Sequence, residues 1–439
     1  MTVDHLAGSR NPGLTGRSGS PAPAGLPRLI PAGAVPDTSP AGHLARLGPL
    51  PYPPGADALI AEVAAAGLTG RGGAAFPVHR KLAAVRAAGR APVVLGNGAE
   101  GEPVSLKDAS LLWLAPHLVL DGLQLAALAT GATRTILCVH RDTGLVGHLA
   151  EALAYRADAG ADRAEVQLIE IPDRFLAGEE SALIAAVSGE AARPRFKHPP
   201  VYQRGVSGRP TLVQNVETLA HLALIARFGA SWFAAVGTAA EPGSMLVTVH
   251  RADGGSHVTE TALGTPIRSL LQLGADVQAV LCGGYHGGWL TAADAAALSL
   301  DNASLLQAGA SPGAGVLAEL PASRCGLAET ARVARYLALE SAGQCGTCFN
   351  GLPRIAGALE QLARPGPTDQ LISDIRRWAG LVDGRGACHH PDGLVRFVAS
   401  ALSVFSVEIG AHAAGYCSAT DSREFLPVPP AAATEADWS

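Results

Sequence analysis

The sequence predicts an α/β protein built on a mostly parallel sheet, followed by a small α+β module and a helical C-terminal region. Three observations predict it. Over residues 56–240, short apolar runs alternate with stretches of helical apolar spacing, the pattern of strands joined by crossover helices. Over 241–325 the strand-like runs continue, but the helix between them shortens. Over 326–421 the apolar spacing is helical almost throughout.

Residues 1–55 are rich in Pro, Gly and Ser, and PLPYPPG at 49–55 reads as a stiff linker or a strap over the surface. Much of this segment is expected to be poorly ordered. The first apolar run, 56–66, leads into GLTGRGGAAF at 67–76, four glycines in ten residues. Without Cβ atoms such a loop lets the backbone approach a ligand, and its N–H groups suit an anion such as phosphate. Strands are expected at 93–95, 135–139 and 166–171, and helices at 118–129 and 146–159. In folds of this kind ligands sit at the carboxyl ends of the strands. The glycine loop, 97–103 and 178–181 fall at such loop positions.

In the second module 244–250, 277–282 and 313–320 read as strands and 267–273 as a short helix. Beyond it, 327–341, 350–362, 369–381 and 394–415 form a four-helix array, with a C-x-x-C at the seam of the first two helices. The tail, 422–439, reads as loose.

At 439 residues the chain is long enough for two to four domains. Its net charge of −5 argues against bulk nucleic-acid binding, which shows a basic face. The N-terminus has no apolar core of a secretory signal. The most apolar stretch, 394–415, is interrupted by Arg396, Glu408 and His412, so it reads as a buried helix and not a membrane span. Seven cysteines, an odd count with C-x-x-C clustering, fit a reducing, cytoplasmic compartment.

The chemistry-bearing segments follow in order. In NGAEGEP (97–103), Asn97 suits a planar heterocycle and Glu100 and Glu102 suit sugar hydroxyls; a polar loop capping a helix is the alternative. In LAGEESAL (176–183), Glu179 and Glu180 stand at a helix N-terminus, where the dipole alone favours them. ARPRFKHPP (192–200) is a basic loop stiffened by prolines, able to meet a pyrophosphate or simply solvated. RPTLVQNVETLAHL (209–222) reads as a loop entering a helix, with Gln214, Asn215 and Thr218 as polar contacts. Cys345 and Cys348, with Cys388 in GACHHPDG, suit an iron–sulfur cluster; zinc or a redox dithiol is the alternative chemistry. Cys138, Cys282, Cys325 and Cys417 read as core or incidental, and His198, His389 and His390 as ordinary loop histidines.

Taken together, these segments resemble the 51-kDa-type family, the flavin-bearing, NADH-oxidising subunits of respiratory complex I, which includes diaphorase subunits of NAD-linked hydrogenases and formate dehydrogenases. The resemblance spans about residues 59–414, with the motifs in family order. GLTGRGGAAFPVHRKL is similar to the family's flavin and nucleotide loop, and NGAEGEP, AGEESAL and PTLVQNVETL to its next three segments. ESAGQCGTC resembles its cluster motif.

The resemblance implies a Rossmann-like domain for FMN and NADH, a β-grasp module and a four-helix bundle carrying the cysteines. It implies FMN against Gly70, Arg71, Gly72, Gly73, Lys81, Asn97, Glu100, Gly178, Gln214, Asn215 and Thr218. It implies NADH near Phe76, Glu102, Glu179, Glu180 and Lys197, with Glu102 and Glu179 as the candidate catalytic carboxylates. Cys345, Cys348 and Cys388 would hold the cluster. Hydride would pass from NADH to the flavin, and electrons would leave through the cluster to a partner protein, a ferredoxin-like protein or a membrane-bound reductase subunit. That would make the chain cytoplasmic, or peripheral on the inner face of the membrane through its partner. Three positions depart from the family: Ala99 for an aspartate, Pro200 for a phenylalanine, and Ala342 for the first cluster cysteine. The last implies a [3Fe–4S] cluster, or a [4Fe–4S] cluster with Ser341, Glu340, His389 or hydroxide as fourth ligand. The alternative is a scaffold protein that keeps the fold without electron transfer.

Overall fold

In the computed structural model, two sheets and a C-terminal helical layer are described over residues 26–31, 37–89, 91–141, 143–196, 198–366, 368–429 and 435–438. The first sheet contains β1 (Val93–Asn97), β2 (Arg134–His140), β3 (Val166–Ile171) and β4 (Thr211–Asn215). All are parallel, in the order β3-β2-β1-β4. β1 is buried on both faces, as a parallel sheet covered on both sides requires. One face meets the helices Ala56–Ala66, Val78–Ala87, Pro116–Thr130 and Val216–Phe228. The other meets Leu183, Ile184 and Val206.

The helices Pro116–Thr130 and Val216–Phe228 touch at Gly122, where a Cβ would lie 2.1 Å from the Leu219 carbonyl oxygen. Only glycine allows that approach. The order 3-2-1-4 reverses between β1 and β4, the switch point at which folds of this kind bind ligands.

The second sheet contains β5 (Ser244–His250), β6 (Ser256–Ala262), β7 (Val277–Cys282), β8 (Gly288–Thr291) and β9 (Val316–Pro321), in the order β6-β5-β9-β7-β8. β5 and β9 are parallel and the other pairs antiparallel. Beyond it come the helices Gly326–Leu339, Leu352–Leu362, Asp369–Val382, His390–Val404 and Ser406–Ala413.

The structure corrects several expectations. β4 reads as a loop in the sequence because Asn215 both ends the strand and N-caps the next helix, so no turn residues separate them. β6 is polar (SHVTETA) and β8 has four residues, so neither carries a strong strand pattern. The single helix expected at 394–415 is two, bent by 71° at Phe405. The described part of the N-terminal segment is packed: Leu29 is fully buried, and the N–H groups of Arg28 and Leu29 donate to Glu260. The described part of the tail is docked as well. Phe425 and Leu426 donate to Glu329, and Trp438 is buried with its ring near Arg174 and Arg193.

No single helix among the described residues is long and apolar enough to cross a membrane. Two bent pairs pass by length and composition together: Lys107–Leu114 with Pro116–Thr130, and His390–Val404 with Ser406–Ala413.

Candidate functional site

The expected segments converge at the carboxyl ends of β1 and β4. Asn97 and Asn215 end these strands and stand in register. The glycine loop lies over them, close enough that a Cβ on Gly72 would sit 3.3 Å from Asn215 Cβ. Gly72 and Gly73 are exposed, and Gly73 has φ +98°, a conformation glycine tolerates. The loop closes through the Gly70 N–H to the Phe76 carbonyl (2.9 Å), and the Phe76 ring is exposed.

The Asn97 amide donates to the Gly178 carbonyl (2.9 Å) and accepts from the Ala99 N–H, joining 97–103 to 178–181. Gly178 packs so tightly there that a Cβ would meet the Ala99 carbonyl oxygen at 2.7 Å. Lys81, from the helix after the glycine loop, donates to Glu180 (3.1 Å) and to the Val213 carbonyl (3.3 Å).

Other expected residues are occupied in holding this frame. Arg71 is buried, with its N–H on Thr218 Oγ1 (2.8 Å) and its guanidinium on the carbonyls of Ser244 and Thr69. Both Arg71 and Thr218 therefore fix the loop's shape, which buried polar groups must do to keep their hydrogen bonds. Glu100 accepts from Ser105 Oγ and from the N–H groups of Asp108 and Ala109, capping the helix Lys107–Leu114. Glu179 caps the helix Glu180–Val187 through the N–H groups of Ser181 and Ala182. The polar loop capping a helix, the alternative for 97–103, is thus present, and the two carboxylates of 179–180 do stand at a helix N-terminus. Glu102 accepts from the Tyr285 N–H (2.8 Å), tying the first sheet's loops to the second sheet. Lys197 lies outside the described residues.

Beneath the strand ends lies an ionic group that sequence analysis did not single out. Lys107 Nζ donates to Asp108 (2.7 Å) and Glu217 (2.9 Å), and Asp108 in turn accepts from the Asn215 amide (2.7 Å). All three charged side chains are buried. Burial works against each charge. Lys107 offsets this for Glu217, holding it down at about 2, but not for Asp108, which burial pushes up despite the Lys107 ammonium beside it. The signal available was three charges bordering apolar helical runs. The group clamps Asn215 and, through the Leu246 N–H on Glu217 (2.8 Å), locks the second sheet to the first.

The cleft fits the expected flavin on two observations. Gln214 Nε2 is buried with no hydrogen-bond partner among the described residues, a donor awaiting an acceptor. The exposed backbone of Gly72 lies against the next residue, Asn215, with no side chain of its own in the way.

The cysteine site also assembles. Cys348 and Cys388 are buried, and both interact electrostatically with Cys345 or with each other. Burial raises the Cys345 thiol, but hydrogen bonds from Thr347 and from the N–H groups of Cys348 and Ala387 outweigh it and hold the thiol below its ordinary range. Burial, with the neighbouring thiols, pushes Cys348 up, a cost that a bound cation removes. N–H-to-sulfur bonds around grouped thiols fit an iron–sulfur cluster. Of the substitute fourth ligands, Glu340 is engaged elsewhere: it pairs with Arg174 (2.7 Å) and accepts from the Phe175 N–H. His389 is exposed and bonded to Asp392 (3.0 Å). Sequence analysis also set aside Cys325 and Cys417, which the structure places beside Glu408 and His412. The available signal was Glu408 and His412 one helical turn apart, with Cys417 five residues on.

Comparison with known proteins supplies the family context. The model of the Nuo51 FMN-binding domain matches residues 63–224, and that of the NADH-ubiquinone oxidoreductase-F iron-sulfur binding region matches residues 328–412. The chain is 27% identical over 375 residues to an NADH-quinone oxidoreductase F subunit (the one numbered 2) of Rhizobium meliloti (strain 1021), covering 81% of this chain and 89% of that one. It is 27% identical over 388 residues to the NADH-quinone oxidoreductase F subunit of Rickettsia massiliae (strain Mtu5), covering 82% and 90%. Among solved structures it is similar to a chain of the NAD+-reducing [NiFe]-hydrogenase in the H2-reduced state, with a TM-score of 0.78 and 28% identity. That match covers 85% of this chain and 66% of the hydrogenase chain, so this chain spans about two thirds of its length.

Proposed function

The chain belongs to the family of NADH-ubiquinone oxidoreductase F subunits, and on that premise we propose that it is an NADH dehydrogenase (diaphorase) subunit using FMN and an iron–sulfur cluster. The observation that carries this reading is the convergence of the glycine loop, Asn97, Gly178 and Asn215 on one switch point. When bound, FMN would supply a hydride acceptor for NADH that can release electrons singly, and a cluster held by the cysteines would supply one-electron transfer.

The chain's own residues do the positioning. Gly72 and Gly73 give the isoalloxazine and phosphate room to approach backbone, and Gln214 Nε2 donates into the cleft. Lys81 supplies the cation for the phosphate. Phe76, exposed at the loop's end, offers an apolar face to the nicotinamide side. Glu102, Glu179 and Glu180 line the entry for the nucleotide sugars, with Lys197 for the pyrophosphate. Cys345, Cys348 and Cys388 hold the cluster, with a non-cysteine fourth ligand or an iron missing at Ala342.

In this reading 56–240 binds FMN and NADH, 241–325 is a β-grasp module, and 326–421 is a helical bundle carrying the cluster. Relatives named as oxidoreductase subunits support a protein partner as electron acceptor, ferredoxin-like or a membrane-bound reductase subunit, with this chain on the cytoplasmic side. An anaerobic absorption spectrum before and after adding NADH tests the proposal. A flavin band that bleaches with NADH is expected. A chain with no flavin band after incubation with FMN would instead be a scaffold that has kept the fold.

A further inference from the structure

A second group of ligating side chains lies at the opposite end of the helix Gly326–Leu339 from the three cysteines. Cys325 N-caps this helix. Glu408 and His412 stand one turn apart on the helix Ser406–Ala413. Cys417 follows once the chain has turned at Gly415, which has φ +89°. The four donor atoms all lie within 4.8 Å of one another. His412 Nε2 is 3.0 Å from Glu408 Oε1 and 3.8 Å from Cys325 Sγ, and Cys417 Sγ is 3.2 Å from Glu408 Oε1. Zinc bonds of about 2.0–2.3 Å at tetrahedral angles separate donor atoms by about 3.3–3.8 Å. The side chains already stand near that spacing.

We propose that Cys325, Glu408, His412 and Cys417 form a structural zinc site, separate from the three-cysteine cluster. Two thiolates, an imidazole and a carboxylate suit a borderline-soft cation, and four protein ligands close the tetrahedron as structural zinc sites do. The surroundings prepare each ligand. His412 Nδ1–H donates to the Leu362 carbonyl (2.8 Å), which leaves the Nε2 lone pair facing the other three donors. The Ala328 N–H donates to Cys325 Sγ (3.4 Å) at the helix N-terminus, where the dipole favours a thiolate. Ser418 donates through its N–H and its hydroxyl to Glu408. Cys325, Glu408 and His412 are buried and Cys417 is exposed, so the metal has a path in.

Without a cation the group is costly. Two thiols, a carboxylate and an imidazole crowd within 4.8 Å of one another, with Cys325 and His412 buried. A divalent ion reverses that cost and binds as the ligands lose their protons.

The position explains what such an ion does. Cys325 begins the helical layer, His412 ends its last helix, and Cys417 begins the returning tail. That tail crosses back to donate from Thr420 and Asp421 to the Ser323 carbonyl. A metal here clasps the three together. The helix Gly326–Leu339 has 14 residues, which puts the two metal sites about 20 Å apart, so redox-inactive zinc fastens the fold without joining the electron path.

Metal analysis of the full chain tests the proposal, on the wild type and on Cys417→Ser, Glu408→Gln and Cys345→Ser. Cys417→Ser is the main variant because Cys417 is exposed and its loss leaves the core packed. About one zinc per chain is expected in the wild type. It should be retained when Cys345→Ser strips the iron. In Cys417→Ser it should fall to below about a tenth of the wild-type level, with FMN content unchanged. Glu408→Gln should weaken zinc retention during dialysis. Cobalt in place of zinc should give strong thiolate-to-metal absorption in the wild type and lose it in Cys417→Ser. Three results would overturn the site: no zinc and no thiolate–cobalt absorption in the wild type, zinc that survives Cys417→Ser, or a Cys325–Cys417 disulfide found by thiol counting.

Discussion

The Lys81 ammonium donates to the Glu180 carboxylate at 3.1 Å, bridging the helix that follows the glycine loop to the turn that opens the helix Glu180–Val187. Both groups are about one-third exposed, so the pair itself is worth little to stability. Its meaning is positional: a cation is held in reserve beside the Val213 carbonyl, over the strand that ends at Asn215.

Lys81→Ala is therefore expected to lower FMN affinity about 10- to 100-fold, the loss of one charge-assisted hydrogen bond to the phosphate. The melting temperature without flavin should move little. Fluorescence titration with FMN checks this, and unchanged affinity would remove Lys81 from the phosphate site.

Gly178→Ala puts a Cβ within 2.7 Å of the Ala99 carbonyl oxygen, a backbone atom that cannot swing aside. Overpacking of this kind costs about 1–3 kcal/mol. It also pushes Gly178 off the Asn97 amide. Reduced urea stability and reduced flavin content are expected together; a variant with wild-type stability would show that the two loops are not in contact.

Ala342 is partly exposed in the turn between the helix Gly326–Leu339 and the segment carrying Cys345 and Cys348. Ala342→Cys is expected to raise iron to about four per chain, the content of a [4Fe–4S] cluster. Iron analysis and low-temperature EPR after reduction read the change. No gain in iron would mean that position 342 does not face a cluster.

Asp121, on the helix Pro116–Thr130, accepts from His43 (3.0 Å) and pairs with Arg156 (2.8 Å) and Arg227 (2.5 Å). Burial alone would raise its pKa, but the His43 hydrogen bond and the two guanidinium groups outweigh it and hold the carboxyl at about 2, against 3.8 ordinarily. A carboxyl depressed on folding contributes stability above its unfolded value and loses it as pH falls through the folded one. The gain at neutral pH is about 2 kcal/mol, lost between pH 4 and pH 2. Asp121→Asn takes from Arg227 its carboxylate partner, leaves Arg156 with Asp162 alone, and should cost about 3 kcal/mol or more at pH 7. The difference from wild type should shrink at pH 2–3 in urea titrations. Equal stability at pH 7 would refute this role for Asp121.

The sequence determined the parts that depend on local pattern. Alternating apolar periods predicted the parallel sheet, and β1, β2 and β3 lie where those runs stand, within a residue or two. Loops at strand ends pointed to the carboxyl ends of β1 and β4, where Asn97, Asn215 and the glycine loop come together. The C-x-x-C spacing marked Cys345 and Cys348, since close spacing in the chain is close spacing in space.

Tertiary structure alone decided which polar side chains bond within the frame of the fold and to which partners. Arg71 and Thr218 look alike with Lys81 and Gln214 in the sequence, yet the first two bond to each other and the second two do not. Glu100 caps a helix that only its own folding creates, and one oxygen of Glu179 caps another. Cys325 and Cys417 stand 92 residues apart and carry no spacing signal, and they meet because the last helix returns its end to the start of the helical layer. Contacts set by periodicity are written in the chain locally. Contacts set by where distant elements end exist only once the chain has packed, because the burial that orients those side chains is a property of the whole fold.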